Sequence, residues 1–342
     1  MGLLNANNLN NRLSNSISYV LFLGIIIITL LSFVSSFWKN LVLELLSHFK
    51  IQYLILNIIL FGGLLLTRRK KLIFISLLCL SFVSSEIIPW YIPPPRLENY
   101  STKLRILSLN VNTQNQSYSQ VLSMVRREQP DVAVFMEINE AWVKQLNSLK
   151  NILPNTVANA NPYNLGIAVY SKIPLENSAI AFFGKTNNPS ITGKLTFNGK
   201  AISLVAIHPP PPIKPALFQA RNQQLEEVSQ YIRSLSSLVI VVGDFNITMW
   251  SPYYKRFVIN TGLKNARKGF GILPTWPLKT TYPPYSRIPS LLSWLLSIPI
   301  DHCLISPQIK VVKIRTGSDL GSDHRSLITD LVVFTPSLSV TA

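Results

Sequence analysis

The sequence predicts an α/β fold: two mixed β-sheets packed face to face with helices outside, preceded by an N-terminal transmembrane helical region. Three observations predict it. Apolar residues crowd residues 16–90, whereas the rest reads as ordinary globular sequence. Beyond residue 103, short strand-like apolar runs alternate irregularly with helix-period segments, with several hairpin-like neighbours. The polar residues of interest fall where the predicted strands end.

Residues 16–38 contain a long uncharged run, sufficient to cross a hydrocarbon core of about 30 Å as a helix. The run is too long for a signal peptide and lacks a small-residue cleavage pattern, so a retained anchor is expected. Residues 51–67 and 72–90 are the second and third candidate spans. The intervening residues 38–50 read as an interfacial helix. Arg68, Arg69, Lys70 and Lys71 form a basic cluster that stays in the cytoplasm under the positive-inside rule. With three spans this topology places the N-terminus inside and the chain after residue 90 on the extracytoplasmic side of the cell membrane; two or four spans would reverse the side of the globular domain. Pro93, Pro94 and Pro95 then form a stiff spacer. The expected organisation is an anchor of about three helices at 1–92, a Pro-rich linker at 93–102, a globular domain at 103–335 and a tail at 336–342.

Within the globular domain, residues 104–111, 131–136, 167–170, 191–197, 201–207, 238–242, 303–306, 311–315 and 326–334 read as strands. Helical spacing marks 118–128, ended by Pro130, together with 141–149 and 217–235. Residues 290–299 are the most apolar stretch, a packed helix or loop or else a lip that enters a bilayer; Leu291, Leu292, Trp294, Leu295 and Leu296 would then be exposed.

Composition narrows the chemistry. The chain carries 32 Lys and Arg against 15 Asp and Glu, a net charge of +17, which favours anionic partners such as phosphoesters, acidic lipid or nucleic acid. The two cysteines, Cys79 and Cys303, form no Cys/His zinc spacing, and neither zinc nor a disulfide framework is expected. Asn110 and Asn112 close the first strand, Glu137 the second, His208 a later one, and Asp244 with Asn246 the next. Asp301 and His302 precede another strand, and Ser322, Asp323 and His324 precede the last. Strand ends suit chemistry because the backbone is fixed while the side-chain tips stay open. Three of the four histidines, His208, His302 and His324, belong to this set.

The motifs LSLNVN, FMEIN, AIHPP, GDFN, PIDH and GSDHRS, in that order, resemble the metal-dependent endonuclease/exonuclease/phosphatase superfamily, with DNase I-like nucleases, inositol phosphatases and neutral sphingomyelinases among its members. The resemblance spans about residues 103–335. With the N-terminal anchor and GFGILPTWP at 269–277, the chain is also similar to a bacterial membrane-bound branch that includes teicoplanin-resistance membrane phosphatases acting on undecaprenyl pyrophosphate. The resemblance implies a four-layer α/β sandwich and phosphoester hydrolysis with Mg2+, or Mn2+ in its place. It implies Glu137 as principal metal ligand, completed by Asn110 or Asn112 and Asp323. Asp244 would orient or deprotonate the attacking water, and Asn246 would hold that water or a phosphoryl oxygen. His324 would contact the phosphoryl group, oriented by Asp301. His208 would bind phosphate or help protonate the leaving group, and Trp276 would line the substrate pocket. Many relatives carry Asp where this chain has Asn112, which suggests a one-metal site or a weaker second site. The expected substrate is a phosphorylated lipid in the membrane. The alternatives are a membrane-tethered nuclease acting on nucleic acid and a phospholipid phosphodiesterase. The sequence does not fix an oligomeric state.

Overall fold

A computed structural model describes residues 2–95, 102–278 and 290–333, and the expected tail at 336–342 lies outside them. The chain divides into two compact units, one built on Met1–Tyr91 and the other on Ile92–Met249 and Tyr253–Ala342.

The first unit contains α1 (Gly2–Ser35), α2 (Leu41–Leu46), α3 (Lys50–Leu65) and α4 (Lys70–Ser85). Three stretches, Ser14–Ser35, Leu41–Leu65 and Lys70–Trp90, are long and apolar enough to cross a membrane. The second stretch begins earlier than the apolar pattern alone suggests. α2 runs through a short 3-10 turn, Ser47–Phe49, directly into α3, so residues 41–50 are part of that stretch rather than a separate surface helix. Glu44 and His48 are buried there rather than facing outward. A buried polar knot joins α1, α3 and the end of α4. Lys50 Nζ lies 2.9 Å from Glu86 Oε2 and donates to Ser32 Oγ and Ser36 Oγ at 2.9 and 2.7 Å. Both hydroxyls in turn donate to Glu86, at 2.8 and 3.0 Å. Charges in an apolar bundle are costly unless paired and hydrogen-bonded, and here both conditions are met.

The second unit runs β1 (Leu104–Asn110), α5 (Tyr118–Glu128), β2 (Val132–Met136), α6 (Glu140–Leu146), β3 (Asn155–Asn159), β4 (Ile167–Ser171), β5 (Glu176–Phe182), β6 (Pro189–Phe197), β7 (Lys200–Ile207), α7 (Pro215–Arg233), β8 (Leu238–Asp244), α8 (Pro252–Thr261), β9 (Lys264–Asn265), α9 (Ser290–Leu296), β10 (Asp301–Ile305), β11 (Ile309–Thr316) and β12 (Leu327–Val333). Two six-stranded sheets result, ordered β11-β12-β1-β2-β4-β3 and β5-β6-β7-β8-β10-β9. Each is mixed, with one parallel pair at its centre (β1 with β2, β7 with β8) and antiparallel neighbours outside.

Strand alternation explains the layering. Ile106, Val134, Met136 and Val169 of the first sheet meet Ile202, Leu204, Ile240 and Val242 of the second in the central core. The opposite face of the first sheet, with Leu107, Leu109, Phe135 and Tyr170, packs on Val121, Met124 and Val125 of α5 and on Trp142 of α6. Three strands escaped the sequence pattern, β3, β5 and the two-residue β9. All are sheet edges, so none needs an apolar run: β3 is half-buried throughout and β5 almost wholly exposed. Asp301 and His302 lie inside β10 rather than before it.

Candidate active site

The registers bring the chemistry to one edge of both sheets. Asn110 ends β1 beside Met136 of β2, which Glu137 follows. Ile207 pairs with Gly243, so His208 and Asp244 leave the parallel pair of the second sheet together. Asp301 pairs directly with Asp244. β12 runs antiparallel to β1, so Asp323 and His324 enter from the same edge. Side chains then meet across the sheets: Asn110 Nδ2 donates to Glu137 Oε1 at 2.9 Å and to Asp244 Oδ2 at 3.3 Å.

Local backbone strain accompanies this convergence. Asn112, Glu137 and Asn246 all have positive φ, at 61°, 57° and 50°. Such conformations are uncommon for residues other than glycine and concentrate at functional sites. Gly243, with φ 145°, is required by close approach: a Cβ there would lie 2.0 Å from the Ile207 carbonyl oxygen.

The site centres on buried acids and two imidazoles. His324 Nδ1 lies 2.9 Å from Asp301 Oδ2, and its Nε2 lies 3.6 Å from Asp244 Oδ2. His208 Nε2 stands 3.7 Å from Asp244 Oδ2 and 3.9 Å from Glu137 Oε1. Burial pushes Glu137 up to about 7, with the nearby Asp323 charge adding to the effect. Burial likewise pushes Asp244 up to about 8, against the opposing pull of His324. Burial works against a charged His324, but Asp301 and Asp244 beside it raise it to about 10. Burial would also raise Asp301, yet the His324 charge and hydrogen bond hold it below the usual carboxylate range. His208 is fully desolvated, lowered to about 4 and therefore neutral near pH 7.

The two asparagines act here as holders of carboxylates. Asn110 Oδ1 accepts from the Asn112 amide at 3.0 Å, and Asn112 Nδ2 donates to Asp323 Oδ1 at 2.9 Å. Trp276 Nε1 donates to the other Asp323 oxygen at 3.2 Å, and its ring lies 6.5 Å from that of His324, so Trp276 borders the site. Asn246 Nδ2 is anchored on the Pro209 carbonyl at 2.9 Å, and its amide caps Asp244 Oδ1 at 2.8 Å. His302 turns the other way. Its Nε2 donates to the Ile247 carbonyl at 2.8 Å and its ring packs on Phe245 and Tyr254, which makes it a core histidine.

Four further residues support the site. Ser322 Oγ donates to the Asn110 carbonyl at 2.7 Å. Thr275 Oγ1 accepts from the Asp301 amide at 3.3 Å. Arg221 Nη1 donates to the Asn246 carbonyl at 3.0 Å. The buried Arg267 donates to the Asp301 carbonyl and lies 3.2 Å from His302 Nδ1. Ser322 is flagged by its place beside Asp323. The other three reach the site across more than twenty residues of sequence and leave no local signal.

The donor set fits a hard divalent cation: the Glu137 and Asp244 carboxyls are raised in pKa by burial first and by neighbouring acids second, and Asp301 Oδ1 is buried without a hydrogen-bond partner. Asp244, Asp301 and His324 present ligand atoms within 4.8 Å of one another. That triad differs from the expected set of Glu137 and Asp323 with the two asparagines, and within it Asp301 and His324 are already paired to each other.

A two-sheet α/β sandwich whose strand ends gather buried acids, histidines and amides defines a hydrolytic enzyme class acting on phosphoesters. The sequence profile of the endonuclease/exonuclease/phosphatase family matches residues 107–324, and the chain belongs to that family of phosphoesterases. No curated protein matches the chain. Among solved structures it is similar to zebrafish (D. rerio) TDP2 complexed with a single-strand DNA product (TM-score 0.56, 19% identity, covering 68% of this chain and 100% of that one). It is similar also to the human Nocturnin catalytic domain with bound sulfate (TM-score 0.55, 18% identity, 69% and 97% covered). A third is an endonuclease/exonuclease/phosphatase from Beutenbergia cavernae (TM-score 0.52, 17% identity, 68% and 72% covered). At these identities the likeness concerns the fold.

Proposed function

We propose that the protein is a membrane-anchored, divalent-metal-dependent phosphatase of lipid-linked phosphate, with a polyprenyl pyrophosphate such as undecaprenyl pyrophosphate as substrate and an extracytoplasmic active site. One observation carries this reading: a phosphoesterase sandwich shares its chain with three helices of membrane-spanning length and apolarity. The similarity to the teicoplanin-resistance membrane phosphatases points the same way. Glu137 and Asp323 would hold the metal, with Asn110 and Asn112 fixing the two carboxylates. A divalent cation there would supply positive charge against the phosphoryl oxygens. Asp244, in its ionised form, would accept the proton of the attacking water, and Asn246 would present its amide oxygen to that water. His324, kept protonated by Asp301, donates to a phosphoryl oxygen and stabilises charge as it develops. His208, neutral and beside Asp244, hydrogen-bonds the phosphate.

The runner-up is a membrane-tethered nuclease, favoured by the net charge of +17. Parallel assays separate the two. Full-length protein in detergent with Mg2+ is given undecaprenyl pyrophosphate, scored by phosphate release, and supercoiled DNA, scored by nicking. Phosphate release without nicking, lost in His324→Ala, is the expected result. Nicking without phosphate release overturns the proposal.

A further inference from the structure

The edge of the second unit that carries the site differs from the opposite edge in its surface. Seven large apolar side chains are exposed among the described residues of this unit: Ile92, Tyr163, Ile180, Phe182, Ile213, Ile259 and Trp294. Four of them stand at the site edge, each on a different segment. Tyr163 (81% exposed) lies in the β3–β4 loop, whose Asn161 amide and Gly166 carbonyl bond Ile138, the neighbour of Glu137. Phe182 ends β5 opposite Pro189, one residue from the Asn188 that donates to the His208 carbonyl. Ile213 (73% exposed) lies on the short loop that leaves His208 for α7. Trp294 (69% exposed) lies on α9, which leads through the Ile298–Trp276 bridge to Asp301.

The opposite edge offers a control. There the connections at 129–131, 172–175, 198–199, 234–237, 262–263 and 306–308 contain no strongly exposed large apolar side chain, and one such group, Ile259, stands near them on the last turn of α8. Exposed apolar groups scattered singly need no explanation, but four gathered around one mouth do. Exposed Lys185, Lys214 and Arg325 stand on the same segments or beside them, outnumbering the exposed acids Glu140 and Asp319 of that edge. Aromatic and aliphatic side chains rimmed by cations match the headgroup boundary of an anionic bilayer.

We propose that this rim is a lipid-contact surface that seats the mouth of the site on an anionic bilayer, so that a substrate headgroup reaches the acids while its apolar tail stays in the lipid. The inference rests on the reading of the chain as a membrane-held phosphoesterase. A bilayer is the occupant because the link from Trp90 to β1 spans residues 91–103, and thirteen residues reach at most about 45 Å. A single-stranded nucleic acid is disfavoured by Ile213, which offers no ring for base stacking.

The test uses full-length protein in nanodiscs of phosphatidylcholine and phosphatidylglycerol. Trp294→Cys, in a Cys79→Ser background, is labelled with a bimane, and Ser236→Cys at the opposite edge serves as the control. The buried Cys303 stays unlabelled. The expected result is quenching by doxyl lipid several-fold stronger at 294 than at 236, and iodide quenching in the reverse order. Equal iodide quenching at both positions overturns the proposal, as does shielding of 294 by oligothymidylate but not by lipid. Lipid quenching at 294 in a protein that hydrolyses no lipid pyrophosphate would sink the substrate assignment and leave the surface standing. Hydrolysis with a water-exposed 294 would do the opposite.

Discussion

The two units each bury a cluster of charge, and the clusters are built on different terms. In the helical unit, Lys50 faces Glu86, and both carboxylate oxygens receive donors from Lys50, Ser32 and Ser36. The charge is balanced and the hydrogen bonds close on themselves. In the sandwich, Glu137, Asp244 and Asp301 crowd around His324 and a neutral His208, while Asp301 Oδ1 and His208 Nδ1 are buried without partners. A cluster that neutralises itself fastens helices together. One that leaves acids repelling each other and polar atoms unmatched is arranged for something that arrives later.

Breaking each cluster should therefore give opposite phenotypes. In the sandwich, Asp244→Asn or His324→Ala is expected to lower kcat by about 10³-fold or more while leaving the melting temperature within a few degrees. Steady-state phosphate release and thermal unfolding check both halves. In the helical unit, Lys50→Met strands Glu86 and should destabilise the protein by roughly 3–5 kcal/mol. The double change Lys50→Met with Glu86→Leu should recover most of that loss, read by thermal unfolding in detergent.

The unmatched charge also predicts a pH dependence. In metal-free protein, Glu137, Asp244 and His324 all have raised pKa values, so the folded state holds more protons than the unfolded chain. Their stabilising contribution is present at low pH and is lost as pH rises through about 7, 8 and 10 respectively. The depressed His208 acts in the opposite sense, but only below its ordinary value near about 6.5. The melting temperature of the sandwich should thus fall between about pH 6.5 and pH 8, and Mg2+ should flatten the slope. A flat profile without metal would contradict the account. The smallest effect concerns Cys303, which burial pushes up to about 12. It should resist iodoacetamide at pH 8 in the folded protein and react on unfolding, as mass spectrometry would show.

The same contrast explains what the sequence displays. Strands such as β1 and β8 announce themselves because an apolar run stops at a polar residue, and those stops are Asn110 and Asp244. β3 and β5 do not, because an edge strand with a wet face needs no apolar run. Residues 41–50 read as interfacial because their apolar residues stand among Glu44, His48 and Lys50, and the fold buries all three of those polar groups. Arg221 and Arg267 were silent because an isolated arginine carries no local mark of the carbonyl it will meet.

The central claim, that the sandwich cluster is a metal-dependent phosphoesterase centre, is tested most directly by titrating Mg2+ into metal-stripped full-length protein while following phosphate release. The expected result is no turnover in chelator, turnover that rises with metal, and a half-maximal Mg2+ concentration raised about tenfold or more in Glu137→Gln. Turnover that persists in chelator, or a Glu137→Gln curve that overlays the unmodified protein, would contradict it.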